Sequence, residues 1–274
     1  MTLFTAEGLL TKEGDALENV YRAYRSWLIT QNVSFKNRPN DGGSELLKRP
    51  ELYSLRAPGN TCLSALNSGK MGTVKNPLNF SKGCGGVMRV SPVAFLDRYF
   101  PFELDKLAVQ TAAITHGHPL GYLPAGLLAH ILHKSIYENG TDRTLRDIIN
   151  ESIIEFSAAF SSAPYLNDLL EIVNRAVVLS ENGKKDVDNI MKLGEGWVAE
   201  ETLAIAIYSA LRHHDDFSAA VIAAVNHDGD SDSTGAVTGN ILGAYLGSSE
   251  IGAEWKENLE LYDLICKTAA GFGS

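Results

Sequence analysis

The sequence predicts an all-α protein built as a single globular multi-helix bundle. Three observations favour this fold class. Apolar residues recur at helical spacing along most of the chain, few stretches alternate with a period of two, and the helical segments stop at glycine, asparagine or proline. Of the 274 residues, 45% are hydrophobic, which is enough to bury a sizeable core. We expect a single domain over residues 1–274.

The first clear helix is predicted from about Asp15 to Gln31, where the apolar side chains form one stripe. The same spacing predicts helices over residues 104–116, 122–138, 143–160, 165–181, 198–213, 217–225, 234–247 and 254–269. Two regions are predicted to be irregular. Residues 32–58 are rich in proline, glycine and asparagine, and residues 75–92 are rich in glycine.

The composition argues against several classes of function. Lysine and arginine number 24 against 33 for aspartate and glutamate, so the formal net charge is −9. An acidic chain without a basic cluster is poorly suited to nucleic acid. No apolar run is long enough for a bilayer, and we expect no signal peptide. The cysteines Cys62, Cys84 and Cys266 are too widely spaced for a disulfide framework or a zinc knuckle. We therefore expect a cytoplasmic protein that binds neither nucleic acid nor membranes.

An acidic segment, NHDGDSDSTG, leads into the predicted helix 234–247. It holds Asp228, Asp230 and Asp232 two residues apart, followed by Ser233. A single capping residue would be enough to start a helix. Several close carboxylates repel one another unless a cation lies between them, and oxygen atoms are the ligands that Mg²⁺, Mn²⁺ and Ca²⁺ prefer. The segment therefore favours a metal site over helix capping alone.

The helix that follows carries glycine at every fourth position: Gly235, Gly239, Gly243 and Gly247. These residues would line one edge of the helix. Each interior glycine costs about 1 kcal/mol relative to alanine, and close packing in the centre of a bundle would offset that cost. We therefore expect neighbouring elements to approach this edge closely.

The segment SKGCGGVMRVSP, residues 81–92, is a second candidate binding element. Gly83, Gly85 and Gly86 would let backbone N–H groups converge on an anion, as in phosphate-binding nests. A tight turn between core elements would explain the same glycines, and the spacing is not that of a known nucleotide fingerprint. Cys84 lies within this loop without an evident base beside it, which argues against a nucleophilic role.

Two further motifs suggest the rim of a pocket. THGHP, residues 115–119, ends a predicted helix with two histidines, although a histidine there can simply complement the helix dipole. EGWVAEET, residues 195–202, opens a helix, and Glu200 and Glu201 complement the dipole of its first turn. Trp197 just before that helix is either a stacking wall or part of the core.

Taken together, the motifs resemble those of the ADP-ribosylglycohydrolases, the group that includes the dinitrogenase-reductase-activating glycohydrolases. SKGCGGVMRVSP, THGHPLGYLPAG, GEGWVAEETLAIAIY and GDSDSTGAVTGNILGA occur in the family's order over nearly the whole chain. The resemblance implies an all-α fold with a cleft for ADP-ribose and two Mg²⁺ or Mn²⁺ ions at its floor. It also implies a hydrolase that removes ADP-ribose from arginine or serine side chains, or cleaves related ADP-ribosyl compounds.

The resemblance assigns roles to particular residues. Asp230 and Asp232 would be catalytic, and together with Ser233 they would bind metal. The substrate-binding residues would be those of the glycine-rich loop and two residues of the pocket wall: Ser81, Gly83, Cys84, Gly85, Gly86, His116 and Trp197. Cys84 stands where other members often have asparagine.

The sequence differs from the family pattern at its N-terminus. The family carries a further acidic run of metal ligands just before a segment like MTLFTAEGLL, which here is residues 1–10. The sequence is therefore expected to be N-terminally truncated relative to the family, with one metal ion or none. Two alternatives to the hydrolase follow: a catalytically impaired module that binds ADP-ribose or a nucleotide, and a structural protein with the same fold. Apolar surface left by a missing helix would also favour self-association.

Overall fold

The computed structural model describes residues 1–39, 44–97, 101–138 and 143–273. Within these ranges the protein is all-α, as the sequence predicts. The α-helices are α1 (Thr2–Leu10), α2 (Ala16–Asn32), α3 (Asn60–Asn67), α4 (Pro101–Ala113), α5 (Pro119–Tyr137), α6 (Leu145–Ala159), α7 (Leu166–Leu179), α8 (Asp186–Ile190), α9 (Ala199–Arg212), α10 (Phe217–Val225), α11 (Ser231–Leu246), α12 (Ala253–Lys256) and α13 (Tyr262–Ala270). Short 3₁₀ helices span Phe35–Asn37, Glu45–Lys48, Pro50–Tyr53, Cys84–Arg89, Ser91–Phe95 and Gly271–Gly273.

Helix α5 lies at the centre of the molecule. Every residue from Pro119 to Ser135 is buried, because this helix is apolar on nearly all sides. It packs against α4, α6, α9 and α11 and against the 3₁₀ helix of the glycine loop. The glycine loop and α11, whose N-terminal end carries the acidic segment, therefore both pack against α5.

Helix α1 has no counterpart among the periodicity-based predictions, and neither do α3 and α8. Helix α1 is short and packs closely on α2 at Gly8. A Cβ atom at Gly8 would lie 2.6 Å from the Cα atom of Val20, so this helix crossing requires a glycine. Such a contact depends on two segments meeting in space, and helical spacing within one segment does not reveal it.

Two predicted helices end differently in the structure. The helix predicted over residues 104–116 stops at Ala113, so the histidine motif forms the connection to α5. His118 then caps α5, because its Nδ1 accepts a hydrogen bond from the backbone N–H of Leu120 at 3.0 Å. The helix predicted over residues 254–269 is divided into α12 and α13. Leu261, at φ 61°, occupies the left-handed region between them and interrupts a right-handed helix.

The predicted close packing along the glycine edge of α11 is correct only at Gly235. A Cβ atom there would lie 2.6 Å from a side chain of α10. At Gly239 and Gly243 a Cβ atom would make ordinary contacts at 3.8 Å, and at Gly247 it would meet nothing within 4 Å. Gly247 instead ends the helix with a φ of 81°, a conformation that glycine adopts readily.

No helix in the described ranges combines the length and the apolar character that crossing a bilayer requires. The prediction of one domain over residues 1–274 stays a prediction.

Candidate functional site

The glycine loop and the tryptophan motif are paired through their backbones. An isolated antiparallel bridge joins Gly83 to Val198. Beside it, the Cys84 N–H donates to the Trp197 carbonyl at 3.3 Å. Two motifs that are far apart in the sequence therefore lie side by side, just before α9 begins. Trp197 is 57% exposed and therefore lies outside the core.

The acidic segment contacts the turn before α9, next to the paired glycine loop and tryptophan motif. The Asp230 N–H donates to the Glu195 carbonyl at 2.7 Å. The chain passes so close that a Cβ atom at Gly229 would lie 1.9 Å from that carbonyl oxygen. The Glu201 carboxylate accepts from the backbone N–H groups of Glu195 at 3.0 Å and Gly196 at 3.1 Å. Glu201 thus holds the turn in shape, beyond complementing a helix dipole.

The carboxylate of Asp230 receives two side-chain hydrogen bonds. The Cys84 thiol donates to Asp230 Oδ2 at 2.9 Å, and the Ser233 hydroxyl donates to the same oxygen at 2.7 Å. Asp230 and Ser233 are both buried. Asp230 occupies the N-cap position of α11, yet its side chain makes no capping hydrogen bond. Helix capping therefore does not account for the burial of this carboxylate.

Asp232 lies in the first turn of α11 beside Asp230. A hydrogen bond with Asp230 is the largest cause that raises the pKa of the Asp232 carboxyl, followed by burial and the neighbouring negative charge. Hydrogen bonds from the backbone at Asp232 and Ser233 oppose this rise. A cation between the two carboxyl groups would offset the repulsion that raises the pKa of Asp232. Asp228, the third carboxylate predicted for the segment, is exposed to solvent.

The donor set of this cluster fits one hard divalent cation. Two carboxylates and one hydroxyl, from Asp230, Asp232 and Ser233, are the oxygen ligands typical of Mg²⁺ and Mn²⁺, and Mg²⁺ commonly keeps several waters. Across the described ranges, no group of three or more His, Cys, Asp or Glu side chains could hold a metal ion. With two carboxylates and one hydroxyl, an ion held here would take its remaining ligands from water or substrate.

Cys84 serves as a hydrogen-bond donor at this site. Burial, followed by its hydrogen bond to Asp230, raises the pKa of the Cys84 thiol to about 12. The group is therefore protonated at neutral pH, which agrees with the expectation that it is not a nucleophile. Asparagine, which the family often has here, would offer an N–H donor in place of the thiol.

His116 lies directly beneath the glycine loop. It is buried, and a Cβ atom added at Gly85 would lie 3.2 Å from its Cε1 atom. Burial, followed by the charge of Arg89, lowers the pKa of His116 to about 3, so the ring is neutral at physiological pH. A Cβ atom at Gly86 would lie 2.9 Å from the Gly121 carbonyl oxygen of α5. Close packing thus contributes to the requirement for glycine in the loop.

Ser81 and Asn79 fix the start of the loop. The Ser81 hydroxyl accepts from the Gly83 N–H at 3.3 Å. Asn79 Oδ1 accepts from the N–H groups of Ser81 at 3.0 Å and Gly117 at 3.2 Å, while its Nδ2 donates to the Thr115 carbonyl at 2.8 Å. Asn79 therefore joins the loop to the histidine motif. The sequence did not indicate this residue, because no sequence pattern predicts the hydrogen-bond partners of an asparagine in an irregular region.

Lys82 and Glu200 form a further link that the sequence did not reveal. The Lys82 ammonium lies 2.5 Å from Glu200 Oε1, and the Glu200 side chain is buried. Burial is the largest influence on the pKa of the Glu200 carboxyl and raises it, while the bond to Lys82 opposes the rise. Glu200 thus holds a residue of the glycine loop, a more specific role than the predicted complement to the dipole of α9.

The chain is similar to known proteins over most of its length. The sequence model of the ADP-ribosylglycohydrolase family matches residues 1–272. ADP-ribosylhydrolase ARH3 of Gallus gallus is 28% identical over 212 residues, which cover 69% of this chain and 56% of that protein. ADP-ribosyl-[dinitrogen reductase] glycohydrolase of Rhodospirillum rubrum is 24% identical over 205 residues, which cover 74% of this chain and 60% of that protein.

A solved structure described as an ADP-ribosylglycohydrolase-related protein complex is similar in fold. The match has a TM-score of 0.62 at 22% identity and covers 99% of this chain and 78% of the other. The chain spans a little more than half the length of the two curated relatives. Because the family's sequence model matches almost every residue, the chain belongs to the ADP-ribosylglycohydrolase family.

Proposed function

We propose that the chain acts as a metal-dependent hydrolase that removes ADP-ribose from ADP-ribosylated protein side chains or from related ADP-ribosyl compounds. One observation carries this proposal: the contact between Cys84 of the glycine loop and Asp230 of the acidic segment, 2.9 Å between Sγ and Oδ2. It puts candidate ligands for a cation next to a candidate nest for a diphosphate, as a hydrolase of ADP-ribosyl groups would need.

The loop supplies the binding half of this site. Backbone N–H groups at Gly85 and Gly86 would hold the diphosphate, while the Gly83 N–H donates to Ser81. The Ser81 hydroxyl and His116 would lie beside the ribose. The exposed indole of Trp197 offers a flat apolar face against which a ring of the ligand can stack. These groups are neutral, so they would bind the anionic ligand through hydrogen bonds and stacking.

The acidic segment supplies the catalytic half. Asp230, Asp232 and Ser233 would hold one Mg²⁺ or Mn²⁺ ion, which when bound would orient ribose hydroxyls and either activate water or polarise the scissile bond. Asp230 is fixed by Cys84 and Ser233, so its carboxylate is held in one orientation. Asp232 is more exposed than Asp230, so a cation bound to it would still be open to water and substrate.

A second candidate function is an ADP-ribose-binding module without turnover. It is favoured by the small donor set, since the described residues offer no group of three or more metal-binding His, Cys, Asp or Glu side chains. Such a module would keep the glycine loop and His116 and would bind the same ligand without cleaving it.

The test is an assay of ADP-ribose release from ADP-ribosyl-arginine and ADP-ribosyl-serine peptides with Mn²⁺, alongside a binding measurement. Asp232→Asn removes a proposed catalytic carboxylate, and Asp228→Asn is the matched control because Asp228 is exposed in the same segment. Release that Asp232→Asn abolishes and Asp228→Asn preserves would support the hydrolase. Binding without release would support the module, and neither binding nor release would contradict both.

A further inference from the structure

Arg89, at the end of the glycine-loop 3₁₀ helix, is fully buried with only neutral partners. A guanidinium has five N–H donors. They reach the Tyr24 hydroxyl at 2.9 Å, the Gly85 carbonyl at 3.1 Å, the Cys62 sulfur at 3.3 Å, the Thr115 hydroxyl at 2.7 Å and the Thr111 carbonyl at 3.3 Å. Burying a cation among neutral acceptors is costly, so simple packing is a poor explanation for an arginine at this position.

Two of these contacts, to the Gly85 carbonyl and to the Thr115 hydroxyl, connect Arg89 to the candidate site. Through the Gly85 carbonyl, Arg89 holds the glycine loop. Through Thr115, it reaches His116, because the Thr115 hydroxyl lies 2.8 Å from His116 Nδ1. Arginine can only donate, so the Thr115 oxygen accepts from Arg89 and its own hydrogen is available for the histidine.

The hydrogen bonds from Arg89 to Thr115 and from Thr115 to His116 favour one tautomer of His116. If Nδ1 carried the hydrogen, it would donate to Thr115, and the buried Thr115 hydroxyl would have no acceptor among its described contacts. If Nδ1 carries no hydrogen, the Arg89 N–H and the Thr115 hydroxyl both have acceptors, and the hydrogen of the neutral ring sits on Nε2. The arrangement Arg89 to Thr115 to Nδ1 therefore favours the Nε2–H form.

Nε2 faces the backbone of the glycine loop. A Cβ atom would lie 3.4 Å from it at Gly85 and 3.6 Å at Gly83. No hydrogen bond among the described residues uses Nε2, so this N–H is free for a ligand in the loop. The depressed pKa of His116 is consistent with this role, because a ring that stays neutral keeps a bare Nδ1.

We propose that Arg89 is a positioning residue: through Thr115 it holds His116 as the neutral Nε2–H tautomer, and through the Gly85 carbonyl it holds the loop against that donor. The Nε2–H then donates to an oxygen of the bound ADP-ribosyl group. The identity of the ligand rests on the proposed function, whereas the tautomer does not.

The test is a nitrogen-15 NMR correlation of the histidine side chains at neutral pH, with the His116 signal assigned by a His116→Gln variant. The wild type is expected to show a hydrogen on Nε2. Thr115→Val removes the hydroxyl at nearly constant shape and is expected to mix or reverse the tautomer, while Thr115→Ser keeps it. Arg89→Lys cannot reach both Thr115 and Gly85 and is expected to shift the signal; if that variant does not fold, Thr115→Val carries the test.

Thr111→Val is the matched control. Thr111 is buried one helical turn earlier, and its hydroxyl makes no hydrogen bond with the described residues, so its removal is expected to leave the His116 signal unchanged. In calorimetry, ADP-ribose affinity is expected to fall about tenfold in Thr115→Val, the effect of one lost or misdirected hydrogen bond, and to be nearly unchanged in Thr115→Ser and Thr111→Val.

A hydrogen on Nδ1 in the wild type, or an unchanged His116 signal in Thr115→Val, would overturn the positioning role. The predicted tautomer pattern combined with no binding of ADP-ribose to the wild type would support the positioning of His116 and contradict the proposed function. The two failures are therefore distinguishable.

Discussion

The thiol of Cys84 lies 2.9 Å from Oδ2 of Asp230, across a sequence separation of 146 residues. This one contact ties the glycine loop to the acidic segment and orients the carboxylate that we propose as a metal ligand. The Ser233 hydroxyl donates to the same oxygen, so Asp230 is held from two sides.

Replacing Cys84 tests that contact. Cys84→Ala removes a donor to a buried carboxylate and is expected to lower the free energy of unfolding by about 1 kcal/mol, since Ser233 still donates to Asp230. Cys84→Asn restores a donor and is expected to lose less. Denaturant unfolding curves of the two variants check this, and equal losses would show that hydrogen bonding by Cys84 is unimportant.

The raised pKa of Cys84 predicts its reactivity. A thiol with a pKa of about 12 is protonated at pH 8, and only the thiolate is alkylated rapidly. Cys266 is exposed and should be alkylated by iodoacetamide in the folded protein, whereas Cys84 should be spared until the protein is unfolded. Peptide mass spectrometry reports both sites in one experiment. Rapid labelling of Cys84 in the native state would contradict the geometry described for it.

The pair of Asp230 and Asp232 predicts how metal binding depends on pH. Because the pKa of Asp232 is raised in the folded protein, the native state holds its proton to a higher pH than the unfolded chain does. The contribution of Asp232 to stability is therefore lost as the pH rises through this folded pKa, when no cation is bound. A cation displaces the proton, so Mn²⁺ affinity is expected to increase with pH over the same range.

Calorimetric titration of Mn²⁺ at several pH values measures this dependence. Asp232→Asn is expected to weaken Mn²⁺ binding strongly and to remove its pH dependence, whereas the exposed neighbour Asp228→Asn is expected to change little. Equal effects of the two substitutions would mean that the segment attracts cations only through its overall charge.

Replacing glycine by alanine in α11 is expected to have opposite effects on stability at Gly239 and at Gly235. Gly239→Ala adds a Cβ atom with ordinary contacts at 3.8 Å and is expected to stabilise the protein by about 1 kcal/mol, since alanine is the better helix former. Gly235→Ala places a Cβ atom 2.6 Å from Val225 Cγ1 and is expected to destabilise it. Urea unfolding of the two variants checks the sign of each change, and a stabilising Gly235→Ala would contradict the packing described for this edge.

Much of the fold could be predicted from the sequence, because amphipathic spacing is a local property. Helices α2, α6 and α7, each buried along one face, follow directly from it. The break between α12 and α13 could not be predicted, since Leu261 is not a residue that normally ends a helix. The same holds for α1, whose packing depends on Gly8 meeting Val20.

The candidate site was predictable as a set of motifs and not as a set of contacts. Closely spaced carboxylates and glycines form a local pattern, so Asp230, Asp232 and the glycine loop can be identified in the sequence. Asn79 and Arg89 cannot, because a single asparagine or arginine has meaning only through its partners. Those partners come from other segments, and only the folded chain brings them together.

We propose that this site binds ADP-ribose with the help of a metal ion held by Asp230, Asp232 and Ser233. Calorimetric titration of ADP-ribose into the protein, first with Mn²⁺ and then with EDTA, tests it most directly. We expect ADP-ribose to bind in Mn²⁺ and to bind clearly more weakly in EDTA and to Asp232→Asn. An absence of binding in both conditions would contradict the proposed site.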